Sequence, residues 1–189
     1  RAYGDARDMF PATVEVIRTL RPKAFLIENV KGLTRSSFAN YYQYILLRLE
    51  FPEVTRRTDE LWTDHLKRLQ REKTSGRRHA EGLTYNVVPT LVNAADYGVP
   101  QKRDRVFIVG FRSDLGIQWS FPRPTHSLEA LLYSQWVTGE YWERHRVTGN
   151  SRPPVPAAFV GRARRLDQCL VPPDQRPWRT VRDAPADLP

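Results

Sequence analysis

Residues Arg21 to Leu33 read RPKAFLIENVKGL. Ala24-Phe25-Leu26-Ile27 is a short, uninterrupted apolar run, and such a run reads as a strand covered on both faces in a parallel sheet. It stops abruptly at Glu28-Asn29, and Lys31-Gly32 reads as the loop that follows. A carboxylate at the carboxyl end of a buried parallel strand emerges where open α/β sheets keep their ligand cleft. There it can present a proton as well as accept a hydrogen bond. Taken alone, a glutamate simply solvated at a strand end is the better account.

On the N-terminal side, Pro11 suits a first helical turn, Val14, Ile17 and Leu20 follow at helical spacing, and Pro22 stops the helix. On the C-terminal side, Ser36 or Ser37 can cap a helix carrying Tyr41, Tyr44, Ile45, Leu47 and Leu49, ahead of Pro52. Residues 53–81 differ in character. Leu61, Trp62, His65, Leu66 and Leu69 keep helical spacing among charges, and from His65 to Arg78 six basic residues face one acid, Glu72. That stretch reads as a solvated helix face running into a loop at Thr74-Ser75-Gly76, or else as a phosphate-contacting insertion. YNVVPTLV (85–92) has strand composition, with Pro89 marking an edge or a bulge. RVFIVGF (105–111) is the clearest strand in the chain, and the two strands are expected to be antiparallel neighbours at one end of the sheet. After Phe121 the composition shifts: ten of the 15 prolines lie from Pro122 onward. One helix is expected from Leu128 to Arg146, and the rest as loop and linker.

The 189 residues carry 30 Lys and Arg against 21 Asp and Glu, a formal charge of +9, which favours a polyanionic partner. No apolar run approaches the ~20 residues that span a bilayer. There is no GxGxxG or GxxxxGK[ST] loop. The four histidines (65, 79, 126, 145) have no metal-ligand spacing, so no metal is expected. Cys169, the single cysteine, sits in a Pro-rich stretch without a neighbour to lower its pKa and reads as incidental.

The second chemical segment is Gln101-Lys102-Arg103-Asp104-Arg105, which leads into the RVFIVGF strand. A guanidinium at the start of an apolar strand is held near the core edge, and its rigid fork of donors suits a base carbonyl or a phosphate. Arg105 could equally pair with an acid to anchor a loop.

Together these segments resemble the DNA cytosine-5 methyltransferase family. RPKAFLIENVKGL is similar to its ENV motif, and Tyr97-Gly98-Val99-Pro100-Gln101-Lys102-Arg103-Asp104-Arg105 to its GxPQxRxR motif. Asp5-Ala6-Arg7-Asp8-Met9-Phe10-Pro11 looks more loosely like the segment before ENV. Trp178-Arg179-Thr180-Val181-Arg182-Asp183-Ala184 through Asp187-Leu188-Pro189 resembles the stretch that leads toward target recognition. The resemblance implies methyl transfer from S-adenosylmethionine to carbon 5 of a flipped-out cytosine in duplex DNA. It implies that Glu28 holds the base's Watson–Crick edge and that Arg105 binds the base carbonyl O2. Asn29 would fix the turn beneath Glu28, while Gln101 and Arg103 would position the loop or the DNA. It further implies a bacterial cytoplasmic enzyme of the restriction-modification kind, associated with the nucleoid through DNA.

The implied fold class is α/β: a partial Rossmann-like methyltransferase sheet with an antiparallel strand pair at one end, followed by a Pro-rich, mostly irregular segment. Residues 1–121 would be the second half of the catalytic domain, with a charged helical insertion at 53–81, and 122–189 a connection toward target recognition. The family's glycine-rich cofactor loop and Pro-Cys-Gln nucleophile loop are expected upstream of ENV, and neither is in this sequence. The chain is therefore expected to be a portion of the enzyme, inactive alone, with its main cofactor site elsewhere. A tRNA cytosine methyltransferase of the same fold and a non-catalytic nucleic-acid-binding remnant are the alternatives.

Overall fold

A computed structural model describes residues 8–75, 82–169 and 171–184. The chain divides into two compact units. The first takes in the chain to Leu91 together with Arg105–Phe121, and the second Val92–Asp104 together with the chain from Pro122 onward.

The first unit opens with helix α1 (Phe10–Leu20), whose first turn holds Pro11. Arg21 ends it in the left-handed region (φ 49°), its N–H donating to the Ile17 carbonyl before Pro22. Strand β1 (Ala24–Val30) follows, and two 3₁₀ turns lead into helix α2 (Ala39–Glu50). Neither Ser36 nor Ser37 caps this helix by side chain; Ser36 opens the 3₁₀ turn Ser36–Phe38 instead. Helix α3 (Trp62–Thr74) and strands β2 (Tyr85–Asn93) and β3 (Asp104–Arg112) complete the set.

The sheet runs β1-β3-β2, so β3 is central. β1 pairs antiparallel with β3, from Ala24 opposite Phe111 to Val30 opposite Arg105. β2 is also antiparallel to β3: Ser113 N–H donates to Thr84 O at one end, and Ala94 N–H to Arg103 O at the other. This is the expected neighbour pair, and Pro89 lies on an outer strand. β1 departs from expectation. Among the described residues its one neighbour is antiparallel, and its side chains alternate between exposed and half-buried. Phe25 and Ile27 turn toward the core while Leu26 is 65% exposed. An apolar run on an outer strand can look like a doubly covered one when only its composition is read.

One face of the sheet carries the core. Val14 and Ile17 of α1, Tyr44, Ile45 and Leu49 of α2 and Leu69 of α3 pack with Tyr85, Val106 and Ile108 of the strands. Full burial of a side chain such as Leu49 contributes about 1.5–3 kcal/mol. Gly110 is required there: a Cβ would lie 2.2 Å from the Phe25 ring, which crosses its backbone and packs on Tyr85 at 5.1 Å. On the other face, Phe111 and Phe107 meet Trp119 and Phe121.

α3 buries His65, Leu66 and Leu69 and directs its cations outward. Lys67 pairs with Asp64, Arg68 with Glu60 and Lys73 with Glu50, which makes it a solvated helix face with an apolar stripe beneath. His65 is fully buried. Its Nε2 donates to the Val54 carbonyl (2.8 Å), so its Nδ1 accepts from the Tyr44 hydroxyl (2.9 Å). Burial pushes its pKa down, against the hydrogen bond to Val54. Gly76, Arg77 and Arg78 lie outside the described residues, as do Asp5, Ala6, Arg7 and the final Asp187-Leu188-Pro189.

The second unit has a two-stranded parallel pair, β4 (His126–Ser127) with β5 (Arg176–Pro177). The Pro-rich segment between them holds more helix than expected: α4 (Leu128–Trp136), α5 (Glu140–Arg144) and α6 (Val160–Asp167). The single helix expected from Leu128 to Arg146 is broken at Gly139, whose φ of +79° no right-handed helix accommodates. Ser127 Oγ caps α4 by accepting from Ala130 N–H. Leu131, Tyr141 and Trp142 form a small core with Trp136 and Trp178.

Two outcomes follow. Gly110→Ala should displace the Phe25 ring and lower stability by about 1–3 kcal/mol, measured by urea unfolding. His65 sets a pH window. Its folded pKa is lowered, so below about pH 6.5 the unfolded chain takes up a proton that the folded imidazole resists. Stability should be fully present above pH ~6.5 and decline as pH falls toward 5. Glu60, held down to about 2 by Arg68 and then by the Arg57 N–H, titrates below that window. Unfolding of His65→Gln between pH 5 and 7 should show a flatter decline; an unchanged slope would remove His65 as the cause.

Candidate active site

The antiparallel register sets Glu28 opposite Phe107 and Val30 opposite Arg105. Glu28 and Arg105 are therefore diagonal neighbours on one face of the sheet, where side chains of alternate residues meet. Arg105 Nε lies 2.5 Å from Glu28 Oε1. The carboxylate side chain is 50% exposed and the guanidinium 23%, so the acid faces solvent while the base is held against the sheet. A carboxylate and a planar donor fork side by side offer acceptor and donor positions in one small area, suited to the polar edge of a flat heterocycle.

Asn29 lies on the opposite face of β1 and accepts from the Val30 N–H through its own Oδ1 (2.8 Å). This fixes the backbone as the strand passes into the 3₁₀ turn Lys31–Thr34. It is a local role beside Glu28, not a contact with it.

The loop before β3 is fastened by groups that the sequence reading passed over. Asn93 Oδ1 accepts from both Ala95 N–H (3.2 Å) and Arg103 N–H (3.1 Å), closing the loop at its base. An asparagine just ahead of a tight turn is the local signal for this, since its short amide reaches the backbone two residues on. Arg103 is thus fixed through its main chain while its side chain is exposed; Gln101 is exposed on the same loop. Asp96 accepts from the Trp178 indole N–H (2.9 Å), and the Tyr97 hydroxyl donates to Pro122 O (2.8 Å). Gly98, at φ +87°, lies against His126; a Cβ there would come 2.8 Å from the imidazole Cε1. Burial pushes the His126 pKa down, and the charges of Arg176 and Arg179 push it further.

The segment Trp178–Ala184 is ordered around Asp183. Its carboxylate accepts from the Thr180 N–H (2.7 Å) and hydroxyl (2.8 Å), from Arg144 (2.8 Å) and from His145 Nε2 (3.0 Å). Burial pushes this carboxyl up, but the Thr180 bonds and the Arg144 charge outweigh it and hold it low. Cys169 is exposed in the second unit. No His, Cys, Asp and Glu cluster able to hold a metal occurs among the described residues, and no described helix is long and apolar enough to cross a membrane.

Comparison with known proteins places these residues in a family. The family model for C-5 cytosine-specific DNA methylase matches residues 1–52 and 67–149, leaving out the stretch that carries His65. The chain is 32% identical over 124 residues to the type II methyltransferase M.NgoPII of Neisseria gonorrhoeae, covering 65% of this chain and 27% of that protein. It is 35% identical over 113 residues to M.AquIA of Picosynechococcus, covering 60% and 36% of the two chains. It is 34% identical over 131 residues to M.FnuDI of Fusobacterium nucleatum, covering 68% and 29%. The chain spans roughly a quarter to a third of the length of these relatives. With the family model matched over most of its length, and with the ENV and GxPQxRxR segments paired strand to strand, this chain belongs to the C-5 cytosine-specific DNA methylases.

Proposed function

We propose that this chain carries the base-holding part of the active site of a DNA cytosine-5 methyltransferase, a type II enzyme acting beside a restriction partner in a bacterial cytoplasm. The observation that carries the reading is the Glu28–Arg105 contact, which joins the two motif residues implied to grip the base. A flipped-out cytosine presents an exocyclic amine, ring nitrogen 3 and carbonyl O2 along one edge. Glu28 accepts from the amine and supplies a proton to nitrogen 3. Arg105 donates to O2 and stabilises charge as it develops on the ring. The base enters by exchanging the ion pair for these contacts. Asn29, Gln101 and Arg103 position the strand end and the loop, Arg103 and Gln101 toward the DNA backbone.

S-adenosylmethionine is the proposed methyl donor, yet the residues described here do not make a site for it. Two open clefts among the described residues each contain an acid already engaged: Glu53 accepts from the Leu83 N–H and Asp96 from the Trp178 indole. No residue is assigned to the donor, and Cys169 is not assigned as nucleophile. Both functions belong to the remainder of the Rossmann-like sheet, outside these residues. The outer edge of β1, with Leu26 and Val30 exposed beside it, supports continuation of the sheet there. Residues 53–81 are a charged helical insertion, residues 1–121 the second half of the catalytic domain, and the segment after Phe121 a connection toward target recognition.

In the full-length enzyme, Glu28→Gln should lower turnover by about 10²-fold or more, the scale of acid–base catalysis, with duplex affinity changed far less. Transfer of labelled methyl groups to duplex DNA measures the first and fluorescence anisotropy the second. Wild-type turnover in that variant would remove Glu28 from the chemistry. The 189-residue chain alone should transfer no label; product above background would show that it holds its own nucleophile and donor site.

A further inference from the structure

Between Arg144 and Arg182 the chain has nine arginines, no lysine and two acids, Asp167 and Asp174. Most of this stretch lies beyond the residues matched by the family model. Some of the arginines serve the fold: Arg144 pairs with Asp183, Arg162 with Glu129, and Arg179 donates to the Asp183 carbonyl. Arg164, Arg165 and Arg176 do not. All three are exposed, and among the described residues no carboxylate lies within ion-pair distance of them.

All three lie in the second unit, on elements that share a neighbour. α6 carries Arg164 and Arg165 outward while Ala163 is buried, and both α6 and β5 pack against α4. Arg162 of α6 and Gln175, next to Arg176, border one open cleft of about 330 Å³. Arg176 is the register partner of His126, whose depressed pKa reflects, after burial, the positive field of Arg176 and Arg179. Unpaired cations held at the surface of a folded unit cost self-repulsion that a polyanion relieves. Arginine favours phosphate because its fork meets two oxygens at once.

We propose that Arg164, Arg165 and Arg176 form an accessory contact with the phosphate backbone of double-stranded DNA, binding it without reading sequence. The choice of DNA among polyanions rests on the methyltransferase reading; the cationic surface does not. Each phosphate neutralised contributes about 0.9 to the slope of log affinity against log salt concentration.

The test is anisotropy of a labelled 20-base-pair duplex with the 189-residue chain, without methyl donor, from 50 to 200 mM KCl. The triple variant Arg164→Gln, Arg165→Gln, Arg176→Gln should have a slope shallower by about 2.7, so that this salt increase weakens it ~40-fold less than wild type. The triple lysine variant at the same positions should keep most of the slope. A control with Arg18→Gln, Lys67→Gln and Lys73→Gln removes as much charge from cations already paired with acids, and should leave the slope nearly unchanged. An equal fall in both glutamine variants would reduce the effect to net charge and overturn the proposal, as would no fall in either. Preferential displacement of the DNA by duplex RNA would overturn it in favour of RNA. Because no methyl donor is present, these outcomes are independent of whether the enzyme transfers methyl groups to cytosine.

Discussion

Seven residue pairs hold β1 against β3, and the site exists only in that register. Side chains alternate faces along a strand, so a slip by one position would send Glu28 and Arg105 to opposite sides of the sheet. The same register places Gly110 opposite Phe25, where the absence of a side chain lets the ring cross the central strand and reach Tyr85. Packing of the core on one face and the charge pair on the other are therefore fixed by one set of backbone hydrogen bonds. The core specifies the register, because a slip of β1 by one position would carry Phe25 and Ile27 off the core face.

The loop that delivers Arg105 shows a second level of constraint. Twelve residues from Asn93 to Asp104 would be entropically costly to leave open, and Asn93 closes them with a single amide oxygen bound to two N–H groups. Asp96, Gly98, His126 and Trp178 then belong to one packed assembly. Segments far apart in sequence are thus joined by hydrogen bonds of ordinary length. The carboxylate at Asp183 does the same for the last described segment, where Thr180, Arg144 and His145 converge on it.

The charge of +9 is not spread evenly in its consequences. In α3, Lys67, Arg68 and Lys73 are matched by Asp64, Glu60 and Glu50, and surface pairs of that kind contribute little to stability while offsetting the charge locally. In α6 and β5, Arg162 pairs with Glu129, but Arg164, Arg165 and Arg176 have no acid within ion-pair distance among the described residues. Sequence counts make the two stretches look alike; the position of nearby acids separates them.

Much of the fold was legible in the chain. Pro11, Pro22 and the helical spacing between them bounded α1, and RVFIVGF marked the strand that became β3. ENV and GxPQxRxR, being local runs, singled out Glu28 and Arg105 as the pair proposed to hold the base. What the sequence could not show depended on neighbours. AFLI has the composition of a doubly covered strand, but whether a second face is covered is decided by what lies beside it, and β1 has one antiparallel neighbour among the described residues. The helix expected through Gly139 broke because that residue takes a left-handed conformation, and 160–167 became helical against α4 despite its Pro-rich flanks. Residue identity and local spacing thus determined which groups are proposed to carry chemistry and where most elements begin and end. Tertiary structure alone decided that Glu28 meets Arg105, since two residues 77 positions apart become neighbours only through strand pairing.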